Sequence, residues 1–293
     1  HTVRTLENAA MRPMSAPRSN SWLLCCLLAL ALSASCAREG TLLRLATTTS
    51  VDNSGLLEAI LPAFRAASGV DVQVMAVGSG KALQLLRRGD VDLALTHDPA
   101  AEDAFIREGR VTLYRKLMFN DFLIAGPAGD PASAREASTA ADAMRRIARS
   151  TSPFVSRGDA SGTDARERQL WDLAGVQPPA ERILETGQGM AATLRVASER
   201  QGYCLTDRAT FLQLAPVLRL APVFEGGEEM LNTYAVIVAD DRSPRRDVAR
   251  RLVRWLTEGR GRRLIEEFAV AGTHPFVPWP AGRPADTPQA LPR

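Results

Sequence analysis

From Leu42 onward, short apolar runs of β-type residues alternate with longer stretches of helical period, which confines the chain to βαβ units around a mostly parallel sheet, an α/β fold. Residues 42–46 read as a strand, and residues 55–68 as an amphipathic helix broken or bent near Pro62. The unit then repeats: residues 70–77 alternate as a strand, 81–89 are helical, 91–96 form a third strand, and a helix runs through 101–108. Residues 122–127 are another apolar strand, followed by a Gly/Pro/Asp/Ser stretch and a helix near 137–149. Residues 153–163 give a strand, a glycine-containing turn and the start of a helix that carries Leu170, Trp171 and Leu173 and stops at Gly175. Residues 234–239 form a returning strand, after which come two amphipathic helices with basic outer faces. No repeat of fixed period is present.

A chain of 293 residues, 45% hydrophobic and 24% charged, has the length for two lobes of ~100–150 residues each. The expected division is lobe 1 over 37–121 and again over 234–280, lobe 2 over 122–233, and a Pro- and Ala-rich disordered tail over 281–293. Residues 1–36 read as an export signal. Arg12 and Arg18 precede the 11-residue apolar run 22–32, and small residues follow it. That run is too short for a transmembrane helix, which needs ~20 residues. Cleavage before Cys36 gives a lipid-anchored cysteine and cleavage after Ala37 gives a free chain; both patterns stay open. His1 is no initiator, and Met11 and Met14 are candidate starts.

The formal charge of +3 includes three arginines against one glutamate in the first 35 residues, leaving about +1 for the rest and no footprint for nucleic acid. Cys25, Cys26 and Cys36 fall in or beside the leader, so Cys204 is alone in the mature body and is read as a buried thiol. A monomer is the default state.

Three turns share one design: residues 47–50 (TTTS), 78–80 (GSG) and 156–163 (SRGDASGT) each follow a strand, are dense in Ser, Thr or Gly, and open a helix. In an open α/β sheet such turns meet beyond the carboxyl ends of the strands. Unpaired N–H groups at helix starts, with hydroxyls and one guanidinium, Arg157, make a donor set suited to a dianion. Each turn alone is read equally well as helix capping, Gly78 and Gly80 as turn formers, and Arg157 with Asp159 as a surface ion pair. Their combination on two lobes of an exported chain points to a bound oxyanion.

Residues 46–50 with 54–64, then 76–83, 96–102, 119–127, 156–163, 170–171 and 232–237, in this order, are similar to the tungstate-binding proteins of ABC transporters, over about Leu42 to Phe276. The resemblance implies a two-lobe periplasmic-binding-protein-like fold of type II with a hinge between lobes. It implies a periplasmic receptor that passes a tetrahedral oxyanion, tungstate before molybdate, sulfate or phosphate, to a membrane permease. It places the anion contacts on Thr48 and Thr49, on Ser79 and Gly80, and on Arg157, Ser161, Gly162 and Thr163, with Ser50 and Ser156 at the margin. By the same resemblance Asp159 braces Arg157, no cofactor is needed, and Asp98 stands where alanine is expected. Residues 187–190 (GQGM) also match a family segment, with Met190 read as a packing residue.

Catalysis is disfavoured. His97 and His274 are the only mature histidines, too few for a His-rich zinc site, and Ser161 in GDASG is not a nucleophile elbow. GSGKA departs from a phosphate-binding loop at Met75 and Ala82. The RGD tripeptides at 88–90 and 157–159 arise cheaply in an arginine-rich chain and carry no adhesion role.

Overall fold

A computed structural model describes residues 42–239 and 243–280. The expected export signal, with Cys36, and the expected tail lie outside the described residues. The elements in order are β1 (Leu42–Thr48), α1 (Thr49–Asn53), α2 (Leu56–Ser68), β2 (Asp71–Val77), α3 (Ser79–Arg88), β3 (Leu93–Thr96), α4 (Pro99–Arg107) and β4 (Val111–Pro127). Then come α5 (Ala140–Arg149), β5 (Phe154–Ser156), α6 (Gly162–Ala174), β6 (Ile183–Glu185), α7 (Met190–Arg200), β7 (Cys204–Asp207) and α8 (Arg208–Leu214). The chain continues through β8 (Leu220–Glu225), β9 (Leu231–Ala239), α9 (Arg246–Thr257), α10 (Arg260–Glu267) and β10 (Val277–Pro278).

Alternate strand residues feed two apolar layers, which is why the strand runs are apolar on both faces. Leu43, Leu45, Leu93, Leu95, Val236 and Val238 pack under α2, α9 and α10, while Ala46, Ala94, Ala235 and Ile237 pack under α3 and α4. The second sheet region repeats the scheme. Phe122 and Ile124 join α5 and α6, and Leu123 and Ala125 join α7 and α8. Met190 is fully buried in that last cluster, as its packing role requires.

The first sheet region has the order β10-β4-β9-β3-β1-β2. Strand β4 holds the two regions together: it pairs with β9 as far as Asp121 and with β7 from Phe122 onward. The expectation of a mostly parallel sheet is corrected here. β1 runs parallel to β2 and β3, and β5 to β6, but β4 is antiparallel to β7, β8, β9 and β10, and β3 is antiparallel to β9. Strands buried on both faces show the same apolar run in either orientation, so periodicity could not tell them apart. Of the break or bend expected at Pro62, the break is absent. Helix α2 runs through it, because Pro62 and Glu58, whose carbonyl loses its usual N–H partner, both lie on the exposed side.

Candidate anion-binding site

Each of the three turns read from the sequence leads from a strand into a helix, and each first turn is built differently. Thr48 caps α1: its Oγ1 accepts the Val51 N–H at 3.5 Å and lies 3.1 Å from Ser50 Oγ. Thr49, one residue on, is half-buried. The N-cap of α3 is Gly78, which has no side chain to offer to the helix N–H groups. Ser79 beside it is fully buried, and its Oγ accepts the backbone N–H of His97 at 3.3 Å. Gly80 is exposed. Ser161 caps α6 by accepting the Asp164 N–H at 3.3 Å. Gly162 and Thr163 follow, both buried, and Thr163 Oγ1 has no hydrogen-bond partner among the described residues. A sealed hydroxyl without a partner is uncommon.

Arg157 is not a surface ion pair. The residue is about 2% exposed, and both Nε and Nη2 donate to Asp159 Oδ2, at 3.1 and 2.5 Å. Asp159 Oδ1 accepts the Ser161 N–H at 3.2 Å, so one carboxylate fixes the guanidinium and the mouth of α6 together. Left-handed backbone at Gly158 and Ala160 (φ 57° and 54°) makes the turn tight enough for this; a non-glycine residue there stores strain of about 1 kcal/mol. Arg157 Nη2 also reaches Thr49 Oγ1 at 3.5 Å, joining the first turn to the third. The second turn meets the third where a Cβ on Gly78 would lie 4.0 Å from Ser161 Cα and Cβ.

Ser156 faces away from this meeting point. Its hydroxyl donates to Glu167 Oε2 at 3.0 Å, and both residues line a cavity of about 400 Å³ behind the turn, with Asp164, Arg168, Trp171 and Glu185. Burial raises the Glu167 carboxyl to about 7. Asp98 is the N-cap of α4, its Oδ1 accepting the Ala101 N–H at 3.1 Å. Cys204 is buried and unpaired, its thiol pushed up by burial.

Two contributors were missed in the sequence. Gly189 caps α7 without a side chain, and a Cβ built on it would lie 3.5 Å from Thr49 Oγ1, so a fourth helix start adjoins the first turn. The GQGM segment held that signal, outweighed by the packing role of Met190. Beneath the turns, Asn120 of β4 and Asn232 of β9 sit directly opposite one another, and Asn232 Nδ2 donates to Asn120 Oδ1 at 2.8 Å. Nothing in the local pattern marks two buried asparagines thus paired. Among the described residues no group of three or more His, Cys, Asp or Glu is arranged to hold a metal.

A fold with two sheet regions joined through long crossing strands, and with helix starts gathered around one buried arginine, is that of the periplasmic-binding-protein class of solute receptors. The sequence profile of the PBP superfamily domain matches residues 35–260, and the chain belongs to that superfamily. It is 35% identical, over 76% of its length and 80% of the relative's, to the tungstate-binding protein TupA of Peptoclostridium acidaminophilum. The crystal structure of the tungstate ABC transporter protein from Geobacter sulfurreducens is 38% identical and superposes with a TM-score of 0.72, over 78% of this chain and 98% of that one. The tungstate-binding protein TupA from Desulfovibrio alaskensis is also 38% identical, with a TM-score of 0.71 over 82% and 99%.

Proposed function

We propose that this chain is an extracytoplasmic receptor that binds a tetrahedral oxyanion, tungstate first, and delivers it to the membrane permease of an ABC importer. The observation that carries the reading is the buried Arg157, held by Asp159 at the start of α6 and reaching Thr49 at the start of α1. Tungstate, molybdate and sulfate are fully deprotonated at neutral pH, so a site of donors satisfies all their oxygens. Phosphate keeps a proton and needs an acceptor. Asp159 is the sole carboxylate in the turn that carries Arg157 as far as Ser161, and both its oxygens are already engaged. The relatives named for tungstate support that ion over molybdate and sulfate.

In this reading the anion contacts are Thr48, Thr49, Ser79, Gly80, Arg157, Ser161, Gly162 and Thr163. Thr163 Oγ1, buried and unpartnered, is the best supported hydroxyl. The lobes are 37–121 with 234–280, and 122–233, meeting at β4 and β9, where binding favours closure about the hinge. The protein acts in the periplasm, as a monomer, without catalysis or cofactor. The test is Arg157→Gln, titrated calorimetrically with tungstate. Tight binding disappears while the thermal unfolding transition persists; unchanged affinity in that variant refutes the assignment.

A further inference from the structure

We infer that His97 is a positioning residue of this site: a neutral imidazole, protonated at Nδ1, that ties two of the anion turns to the asparagine pair on the crossing strands. The inference rests on the anion-receptor reading above and adds a residue to it.

His97 directly follows β3 and is about 4% exposed. Its backbone N–H donates to Ser79 Oγ, so the Ser79 hydroxyl hydrogen is free for another acceptor. Its ring and carbonyl lie against Gly162. A Cβ there would stand 2.9 Å from His97 O, 3.0 Å from Cε1 and 3.1 Å from Nε2, closer than side chains allow. Glycine is required at 162 for space, and His97 occupies that space. One residue therefore touches the second turn through its backbone and the third through its ring.

The ring is fixed from below by a chain of buried bonds with one direction. Asp207 Oδ1 accepts the Thr210 N–H at 3.0 Å as the N-cap of α8, and it also accepts from Asn120 Nδ2 at 3.5 Å. Asn120 Oδ1 then accepts from Asn232 Nδ2 at 2.8 Å, and the same Nδ2 donates to the Tyr234 hydroxyl at 2.7 Å. This leaves Asn232 Oδ1 to face His97 Nδ1 at 2.9 Å, so Nδ1 carries the proton and Nε2 the lone pair. The ring stacks on Tyr234 with centroids 5.2 Å apart.

Burial and two arginines favour the uncharged ring, and two groups oppose them. Burial first, then Arg157 in the third turn and Arg166 on α6, lower its pKa to about 4 against the Asn232 bond and Asp159. Asp98, next in sequence, is committed to capping α4, and Tyr234 on β9 and Asp207 on β7 are held toward their neutral forms by burial.

The experiment is tungstate titration at about pH 7.5 of the wild type and of His97→Phe, His97→Asn and Arg157→Gln, with imidazole nitrogen NMR of the wild type. Phenylalanine keeps the ring against Gly162 but leaves Asn232 Oδ1 unpaired, and affinity falls at least about tenfold. Asparagine restores a donor toward Asn232 and recovers affinity relative to phenylalanine. The NMR signal lost in His97→Asn shows the Nδ1–H tautomer. Phenylalanine binding within about twofold of wild type, or a wild-type ring with its proton on Nε2 or charged, overturns the inference. Arg157→Gln separates the two failures: if it abolishes binding while His97→Phe does not, the receptor stands and the positioning role falls. The NMR result decides the matter should the phenylalanine variant not fold.

Discussion

Asp159 holds Arg157 by one oxygen and the amide of Ser161 by the other, so a single carboxylate aligns a guanidinium with the start of α6. The ion pair is buried on the arginine side, where removing one partner leaves an uncompensated charge and costs more than at a surface.

Asp159→Asn therefore weakens both the fold and anion binding. The expected loss of affinity is about tenfold or more, as one charge-assisted bond contributes ~1.5–3 kcal/mol. Calorimetry with tungstate measures it, and an unchanged dissociation constant means that Arg157 needs no brace.

Gly162→Ala places a methyl group against the carbonyl and ring of His97. Overpacking of this kind costs about 1–3 kcal/mol, or displaces α6 from Ser79 and His97. Tungstate affinity and melting temperature should both drop. Gly129→Ala, outside the site, is the control, since nothing lies within 4 Å of a Cβ at that position.

Ser79→Ala leaves the buried His97 N–H without an acceptor. A stability loss of about 1–3 kcal/mol in urea unfolding is expected, together with weaker binding. A variant as stable as wild type shows that this amide finds another partner.

Two buried groups of opposite sign, Glu167 and His97, contribute to the dependence of stability on pH. Glu167 is raised from 4.5 to about 7 by burial, so it contributes stability that is present below pH 4.5 and lost as pH rises through 7. His97 is lowered from 6.5 to about 4, so its contribution is present above pH 6.5 and lost as pH falls through 4. Glu167→Gln removes the first and keeps an acceptor for Ser156. That variant should gain on the order of 3 kcal/mol over wild type at about pH 8, and should lose stability steadily on acidification between 6.5 and 4. Urea unfolding at about pH 5, 6.5 and 8 reads both slopes; a wild type whose stability rises from pH 6.5 to 8 contradicts the Glu167 assignment.

The three turns were legible in the sequence because strand ends, glycines and hydroxyl caps are local signals, and β1, β2, β3, α2, α3, α4, α5 and α6 follow the periodicity that announced them. The N-terminal part of β4, with Arg115 and Lys116 interrupting its apolar pattern, was not. Its charge is absorbed at long range, Lys116 Nζ lying 3.6 Å from the buried Glu102. Strands β6, β7 and β8 are three to six residues long, too short for a pattern to stand out. In the site, Arg157, its turn and its brace Asp159 could be read, but the partners distant in sequence could not. Thr49 is 108 positions away, and Asn120 and Asn232 are 112 positions apart, joined only by the register of β4 against β9.

The central claim is tested most directly by calorimetric titration of the purified protein with tungstate, molybdate, sulfate and phosphate at equal ionic strength. The account predicts tungstate binding far more tightly than the others and phosphate weakest, because the site offers donors and keeps its carboxylate engaged. Phosphate binding tighter than tungstate, or no binding by any of the four ions, would contradict it.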